Sequence, residues 1–276
     1  MNSIQNLSPV AEMMRAAGLE PKKQLGQNFL FDLNLTGRIA RSVPEIEKST
    51  VLEIGPGPGG LTRALLVAGA KRVIAIEKDK TTAPILKQIQ DASDGRLEII
   101  FGDALKLCDS WFVTRDSIAI CSNLPYNVGT ELLIRWLHIM AEPRTTNHKP
   151  RITSMTLMFQ REVAERIVAK TGSSQYGRLA VLISLVADAK ILFDVPNTAF
   201  VPRPKVQSAV VQIFPKAKIE ISGIEKLTAK LFGQRRKMIR GIMPGVDWAQ
   251  FGLSGQERAE ELSPEKFAEI AAANVV

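Results

Sequence analysis

From Thr50 onward, short apolar runs alternate with stretches patterned as helices, and no other feature constrains the fold as strongly. The runs "VLEI" at Val51–Ile54, "RVIAIE" at Arg72–Glu77, "RLEII" at Arg96–Ile100 and "SIAICSN" at Ser117–Asn123 read as strands. Helical stretches such as "LTRALLVAGA", "KDKTTAPILKQIQDA" and "ELLIRWLHIM" separate or follow them. Strands that are apolar throughout are buried on both faces, so the pattern predicts an α/β fold: a parallel sheet with helices on both sides. "ITSMTLMFQ", "AKILFDV" and "VQSAVVQIF" are read as further strands that complete the sheet, antiparallel at its edge, with "REVAERIVAK" and "GRLAVLISLVA" as helices.

Before this core, "SPVAEMMRAAG" predicts a short helix capped by Ser8, with Pro9 in its first turn and Gly18 at its end. "EPKKQLGQNFLFD" reads as a loop, and "LNLTGRIARSV" as an amphipathic helix. Past Lys216 the alternation stops. "GIEKLTAKLFGQRRKMIRGIM" is amphipathic, "SGQE" at Ser254–Glu257 fits a capping box, and Ser263 with Pro264 opens a last helix. The expected organisation is an α/β domain over 1–215 and a small helical domain over 216–276.

The 276 residues carry a net charge of +8 and are 45% hydrophobic, enough for a full core and basic enough to meet a polyanion. Cys108 and Cys121 form neither a metal spacing nor a disulfide framework, and no apolar run is long enough to span a bilayer. The N-terminus lacks a signal-peptide core, so a cytoplasmic monomer that does not engage membranes is expected.

"VLEIGPGPGG" is a strand, a glycine turn and a helix start. Gly55, Gly57 and Gly60 satisfy dinucleotide spacing, and Glu77 ends the next strand, where a ribose diol would be read. Alone, this fits NAD, FAD, S-adenosylmethionine or a plain packing turn. Pro56 and Pro58 remove backbone donors that a diphosphate would need, and Glu53 suits a ligand carrying an ammonium group. Both favour S-adenosylmethionine. Asp103, past the third strand, is placed to accept an adenine amine or, equally, to cap a helix. Glu53–Gly55, Glu77, Asp103 and Asn123 fall past successive strands, and in a parallel sheet those ends line one crevice.

At Asn123–Leu124–Pro125–Tyr126 a neutral amide, a constrained carbonyl and an aromatic ring follow an apolar strand. An amide is a poor base but a good acceptor. An exocyclic nucleobase amine is uncharged and needs acceptors for its two N–H bonds rather than a base. The Asn123 and Leu124 carbonyls would supply them, Pro125 would keep Leu124 aimed, and Tyr126 would stack on the base, worth about 1–3 kcal/mol. The plainer reading is a proline turn with a core tyrosine. His138 and His148 are not placed for chemistry.

"KKQLGQNFL", "VLEIGPGPGGLT", "IEKD", "GDAL", "SNLPYN", "MFQREVAERI", "QYGRLAVL" and "FVPRPKVQSAVV" together resemble the ribosomal RNA adenine dimethyltransferases, densely over Lys22 to Phe214. The texture is nearest the small-subunit, kasugamycin-resistance branch rather than the macrolide-resistance or mitochondrial transcription-factor branches. The resemblance implies a Rossmann-like class I S-adenosylmethionine-dependent methyltransferase. Its expected reaction is dimethylation of N6 on two adjacent adenosines, in a hairpin loop near the 3′ end of small-subunit (16S) rRNA. It further implies that Asn28 and Leu30 close over the cofactor, with Lys78 and Ala104 beside Glu77 and Asp103. Phe200 would be a second stacking surface, though a core role is an equal reading of that residue. Arg161, Arg166, Lys170, Arg203, Lys205, Arg235, Arg236, Lys237 and Arg240 are the expected phosphate contacts. Phe31, where a polar residue is common, and the long 141–151 loop depart from the family pattern. An amino methyltransferase for DNA or a small molecule, and an RNA-binding assembly factor, are the competing expectations.

Overall fold

The computed structural model describes residues 4–22, 27–111, 117–141, 151–216 and 219–273, with the side chains of 108–111 and Arg151 excepted. His148 and residues 142–150 of the long loop lie outside the described residues, as does the side chain of Cys108.

The N-terminal region contributes α1 (Val10–Ala16), β1 (Phe29–Leu30) and α2 (Leu33–Arg41). The alternating core follows as β2 (Thr50–Ile54), α3 (Gly60–Val67), β3 (Arg72–Glu77), α4 (Ala83–Asp91), β4 (Leu97–Phe101), α5 (Ala104–Trp111), β5 (Ser117–Asn123), α6 (Gly129–Ala141) and β6 (Arg151–Gln160). Then come α7 (Arg161–Ile167), α8 (Arg178–Val186), β7 (Ala187–Val195), β8 (Phe200–Val201) and β9 (Ser208–Pro215). Three α-helices close the described chain: α9 (Ser222–Phe232), α10 (Ile239–Ile242) and α11 (Pro264–Ala272).

Among the described residues the main sheet has seven strands in the order β4-β3-β2-β5-β6-β9-β7. The first five are parallel; β9 is antiparallel to both of its neighbours. The fold is therefore the expected α/β class, and the reversed strand lies one place in from the edge. The pleat sorts side chains between two cores. Leu52, Ile54, Ile74, Ile76, Ile118 and Ile120 face α6, α8 and the C-terminal helices, while Val51, Val73, Ala75, Ala119 and Cys121 face α1 to α4. β1 and β8 form a separate two-stranded antiparallel ladder, pairing Leu30 with Phe200 and Phe29 with Val201.

The main sheet ends at Pro215, and the helices beyond share a core with its face. Phe232 stacks on Phe267 with centroids 5.6 Å apart and meets Tyr176 edge-on at 5.9 Å. Tyr176 donates its hydroxyl to the Leu262 carbonyl at 3.0 Å. Leu227, Leu231, Phe267 and Ile270 belong to the same apolar cluster as Leu182 and Trp136.

Two local expectations change, and the amphipathic tail run divides. The amphipathic run over 223–243 forms two helices: α9 ends at Phe232, and Lys237 N–H donates to the Gln234 carbonyl at 2.8 Å in a turn before α10. Gly233 is a poor helix former, and Arg235–Arg236–Lys237 offers no apolar side chain to bury between Leu231 and Ile239. At Ser254–Glu257 half of the capping box forms: Glu257 accepts from Ser254 N–H at 2.9 Å, but Ser254 Oγ accepts from Gln256 N–H at 3.2 Å instead of from Glu257, and no α-helix begins there. Pro9, not Ser8, stands at the N-cap of α1, and the Ser8 carbonyl accepts from Arg63 at 2.7 Å.

Candidate active site

The sheet order reverses between β2 and β5, and open α/β sheets bind ligands at such a point, beyond the carboxyl ends of the strands. A crevice of ≈ 1100 Å³, counting its open mouth, lies there. Gly55–Pro58 after β2, Glu77 and Lys78 at the end of β3, Asp103 and Ala104 after β4, and Asn123–Val128 from the end of β5 onward all line it. Asn28 and Leu30 line it from the N-terminal side.

The glycine turn is shaped by the protein's own segments. Gly57 has φ +55, and a Cβ there would lie 2.7 Å from the Phe29 ring. A Cβ on Gly60 would collide with the Leu30 carbonyl oxygen. These glycines therefore seat β1 against the turn. The turn's N–H groups are also engaged: Gly55 donates to the Ile76 carbonyl at 2.9 Å, Gly57 to Glu77 Oε2 at 2.8 Å and Gly59 to the Pro56 carbonyl at 2.9 Å. With Pro56 and Pro58 lacking N–H altogether, this turn is a poor cradle for a diphosphate.

The lining is acidic. Glu53 is buried and accepts from Thr62 Oγ1 at 2.6 Å. Burial pushes its carboxyl up to about 8 despite that bond, with nearby Glu77 adding to the rise. Glu77 is raised by burial and held back by the N–H groups of Asp79 and Gly57. Asp103 is lowered by Lys78, whose Nζ lies 2.9 Å away, and its other oxygen accepts Leu105 N–H at 3.1 Å. Asp103 is thus both crevice wall and helix cap. Carboxyls pushed up by burial regain their charge beside a cation, so this lining suits a cationic ligand. The set fits S-adenosylmethionine: Glu53 would face its ammonium group, Glu77 its ribose hydroxyls and Asp103 its adenine amine.

On the far wall, Asn123 Nδ2 donates to the Asn28 carbonyl at 3.1 Å. With the amide nitrogen turned to the N-terminal segment, Oδ1 is the amide's acceptor. Tyr126 is half-buried, and its hydroxyl lies 3.0 Å from Ser208 Oγ. Burial raises the phenol further, which keeps it neutral. The structure thus brings together Asn28, Leu30, Gly55, Gly57, Glu77, Lys78, Asp103, Ala104, Asn123, Leu124, Pro125 and Tyr126 on one crevice.

The ribosomal RNA adenine dimethylase model matches residues 18–273. The chain belongs to this family. A relative named "Ribosomal RNA small subunit methyltransferase A" from Chelativorans sp. (strain BNC1) is 50% identical, covering 98% of each chain. One of the same name from Xanthobacter autotrophicus is 49% identical, covering 98% of this chain and 95% of that one. The crystal structure of a dimethyladenosine transferase from Plasmodium falciparum shares the fold, with TM-score 0.71, 24% identity, and coverage of 87% of this chain and 94% of that one. This rRNA adenine dimethylase is an enzyme with a class I methyltransferase fold.

One expected site residue of the dimethylase lies elsewhere. Phe200 is 2% exposed, packed in the apolar cluster with Phe29 and Leu30, and does not line the crevice. Its place opposite Leu30 in the β1–β8 ladder turns it into the core. Phe31, the unusual residue, packs on that cluster 6.3 Å from the Phe29 ring.

The cationic candidates fall into two groups. Arg161 is paired with Glu165 at 2.9 Å and with Asp194, Arg166 with Glu162, and Arg235 with Glu260 at 2.5 Å; Arg203 donates to Asn197 Oδ1 at 2.9 Å. Lys170, Lys205, Arg236, Lys237 and Arg240 are exposed, and none has an ion-pair partner among the described residues. His138, expected to stand outside the chemistry, pairs with Glu225 of α9 at 2.7 Å.

Asp79 is a residue that sequence reasoning missed. It accepts from Lys22 Nζ at 2.8 Å and from Gln27 Nε2 at 3.0 Å, and so moors the N-terminal segment beside Glu77. Partial burial works to raise its carboxyl, and the bonds from Lys22, Thr81 and Gln27 overcome that and hold it far below the usual carboxylate range. The available signal was its position just before a short turn, Lys80–Thr82, which its side chain caps.

Proposed function

We propose that this enzyme uses S-adenosylmethionine to dimethylate N6 of two adjacent adenosines in a hairpin loop near the 3′ end of small-subunit rRNA. It would act in the cytoplasm, during ribosome biogenesis and as a monomer. The observation that carries the reading is Asn123: its amide nitrogen is tied to Asn28, so its oxygen is the acceptor beside Leu124, Pro125 and Tyr126. The family, and the small-subunit name of relatives near 50% identity, support the choice of RNA.

When bound, S-adenosylmethionine supplies a methyl group on a cationic sulfur. The Asn123 Oδ1 and Leu124 carbonyl would accept the amine's two N–H bonds and turn its lone pair toward that methyl. Tyr126 would stack on the base. No side-chain base is required, because an exocyclic amine is uncharged before attack. Positioning supplies most of the rate. A hairpin-loop adenosine also leaves its stack at lower cost than a duplex base.

Comparing methyl acceptance by unmodified small subunits, DNA and free nucleosides tests the substrate. Subunits alone should yield N6,N6-dimethyladenosine; equal transfer to DNA or nucleosides would overturn the RNA assignment.

We assign the residues beyond Pro215 to RNA contact, led by Arg236, Lys237 and Arg240. Replacing all three by alanine should weaken subunit binding. It should also reduce the slope of log affinity against log salt, by about 0.7–0.9 for each phosphate no longer neutralised. Methyl-donor affinity should stay unchanged in the same variant.

Glu53 gives a pH prediction. Its folded value of about 8 exceeds the ordinary 4.5, so the stability it contributes is fully present below about pH 4.5 and is lost as pH rises through about 8. A bound ammonium group favours the carboxylate, so binding the donor below pH 8 releases a proton. Donor affinity measured by calorimetry should rise between about pH 6 and 7.5, by up to about tenfold per unit. Glu53→Gln should flatten that rise.

A further inference from the structure

Ser208 opens β9 and is fully buried, and the Tyr126 hydroxyl rests 3.0 Å from its Oγ. Ser208 is itself paired on both sides, opposite Gln160 of β6 and Val195 of β7. The bond therefore ties a turn to the middle strand of a three-stranded ladder. Tyr126 follows Pro125 in that turn, its ring half-buried in the crevice wall. A ring carried on a turn can tilt and slide unless its far end is fixed, and a site is only as precise as the groups that hold its side chains.

That precision matters unequally for the two methyl transfers. Unmodified adenine offers two N–H bonds, one for the Asn123 Oδ1 and one for the Leu124 carbonyl. In each transfer the nitrogen lone pair forms the N–C bond while the C–S bond breaks, its electrons staying on sulfur, and the nitrogen then releases one proton. After the first transfer a methyl group has replaced one N–H. The monomethyl amine can engage one acceptor only, and base stacking must supply the rest of its alignment.

We infer that Ser208 is a positioning residue for the second methyl transfer: by holding the Tyr126 hydroxyl it fixes the ring that keeps N6-monomethyladenosine in line. The inference rests on the crevice being an adenine-N6 site. The hydrogen bond, the paired strand and the number of N–H bonds left on the substrate all point the same way.

Single-turnover methylation of unmethylated small subunits, with nucleosides separated by mass, reads the two steps apart. For Ser208→Ala the first transfer should fall less than about threefold and the second by about tenfold, the reach of one hydrogen bond. Monomethyladenosine then accumulates where the wild type proceeds to dimethyladenosine. Tyr126→Phe keeps the ring, loses the hydroxyl and should show the same shift, and combining the two changes should add nothing further. An unchanged mono-to-dimethyl ratio in both single variants, or equal slowing of both steps, overturns the inference while leaving the adenine-N6 reading in place. A wild-type enzyme that methylates no adenine overturns that reading and this inference with it.

Discussion

Asn123→Ala should lower methyl transfer by about 10²–10³-fold or more, the scale on which enzymes lose rate when a preorganised polar group at the reacting centre is removed. Asn123 does two things at once. Its Nδ2 holds the Asn28 carbonyl at 3.1 Å, and its Oδ1 is the acceptor proposed for the adenine amine. The variant leaves the Asn28 carbonyl without this donor, at a cost of about 1–3 kcal/mol where the group stays dry. Asn123 is half-buried at the crevice, so water can take the place of its Nδ2 and the cost should fall at the low end. Urea unfolding should therefore move little while the rate collapses. Asn123→Asp separates the two jobs: a carboxylate accepts but cannot donate to Asn28, and two facing oxygens repel, so it should be nearly as slow. Full activity in either variant would remove the amide from the mechanism.

Gly60→Ala should weaken methyl-donor binding by about ten- to a hundredfold, an overpacking penalty of about 1–3 kcal/mol expressed at the crevice wall. Propensity alone argues the other way. Gly60 begins α3 outside the left-handed region, and alanine in a helix is better than glycine by about 1 kcal/mol. Collision with the Leu30 carbonyl decides the sign, because that oxygen is backbone and cannot rotate away. The whole β1 segment must shift, carrying Asn28 and Leu30 with it. Gly241→Ala is the control, since a Cβ there meets nothing within 4 Å. Calorimetric titration of the donor reads both. An unshifted affinity for Gly60→Ala would mean that β1 is not part of the cofactor wall.

The strands of the core are legible in the sequence because each is a short apolar run closed by a polar or glycine residue, and parallel order then brings Gly55, Glu77, Asp103 and Asn123 to one edge. The run over 223–243 is legible as helical, but its break is not, because apolar spacing survives across Arg235–Lys237, where there is nothing to bury. Phe200 is ambiguous in sequence, and its partner Leu30 explains why: two-residue strands have no periodicity, so nothing local announces the β1–β8 ladder. The roles of Asp79, Asn28 and Ser208 are hidden for a related reason. Each acts through a partner far away in the chain, and side-chain spacing carries no trace of such pairs. The glycine turn reads as a ligand site, whereas Gly57 and Gly60 are also required by the protein's own Phe29 and Leu30.

The claim at the centre is that one amide oxygen and one constrained carbonyl grip an adenine amine against a methyl donor. A structure of the enzyme with a non-reactive donor analogue and a short hairpin RNA measures it directly. The target N6 should lie about 2.7–3.2 Å from both Asn123 Oδ1 and the Leu124 carbonyl, with the base over Tyr126. Asn123 turned away from the donor, or a nicotinamide dinucleotide filling the crevice, would contradict it.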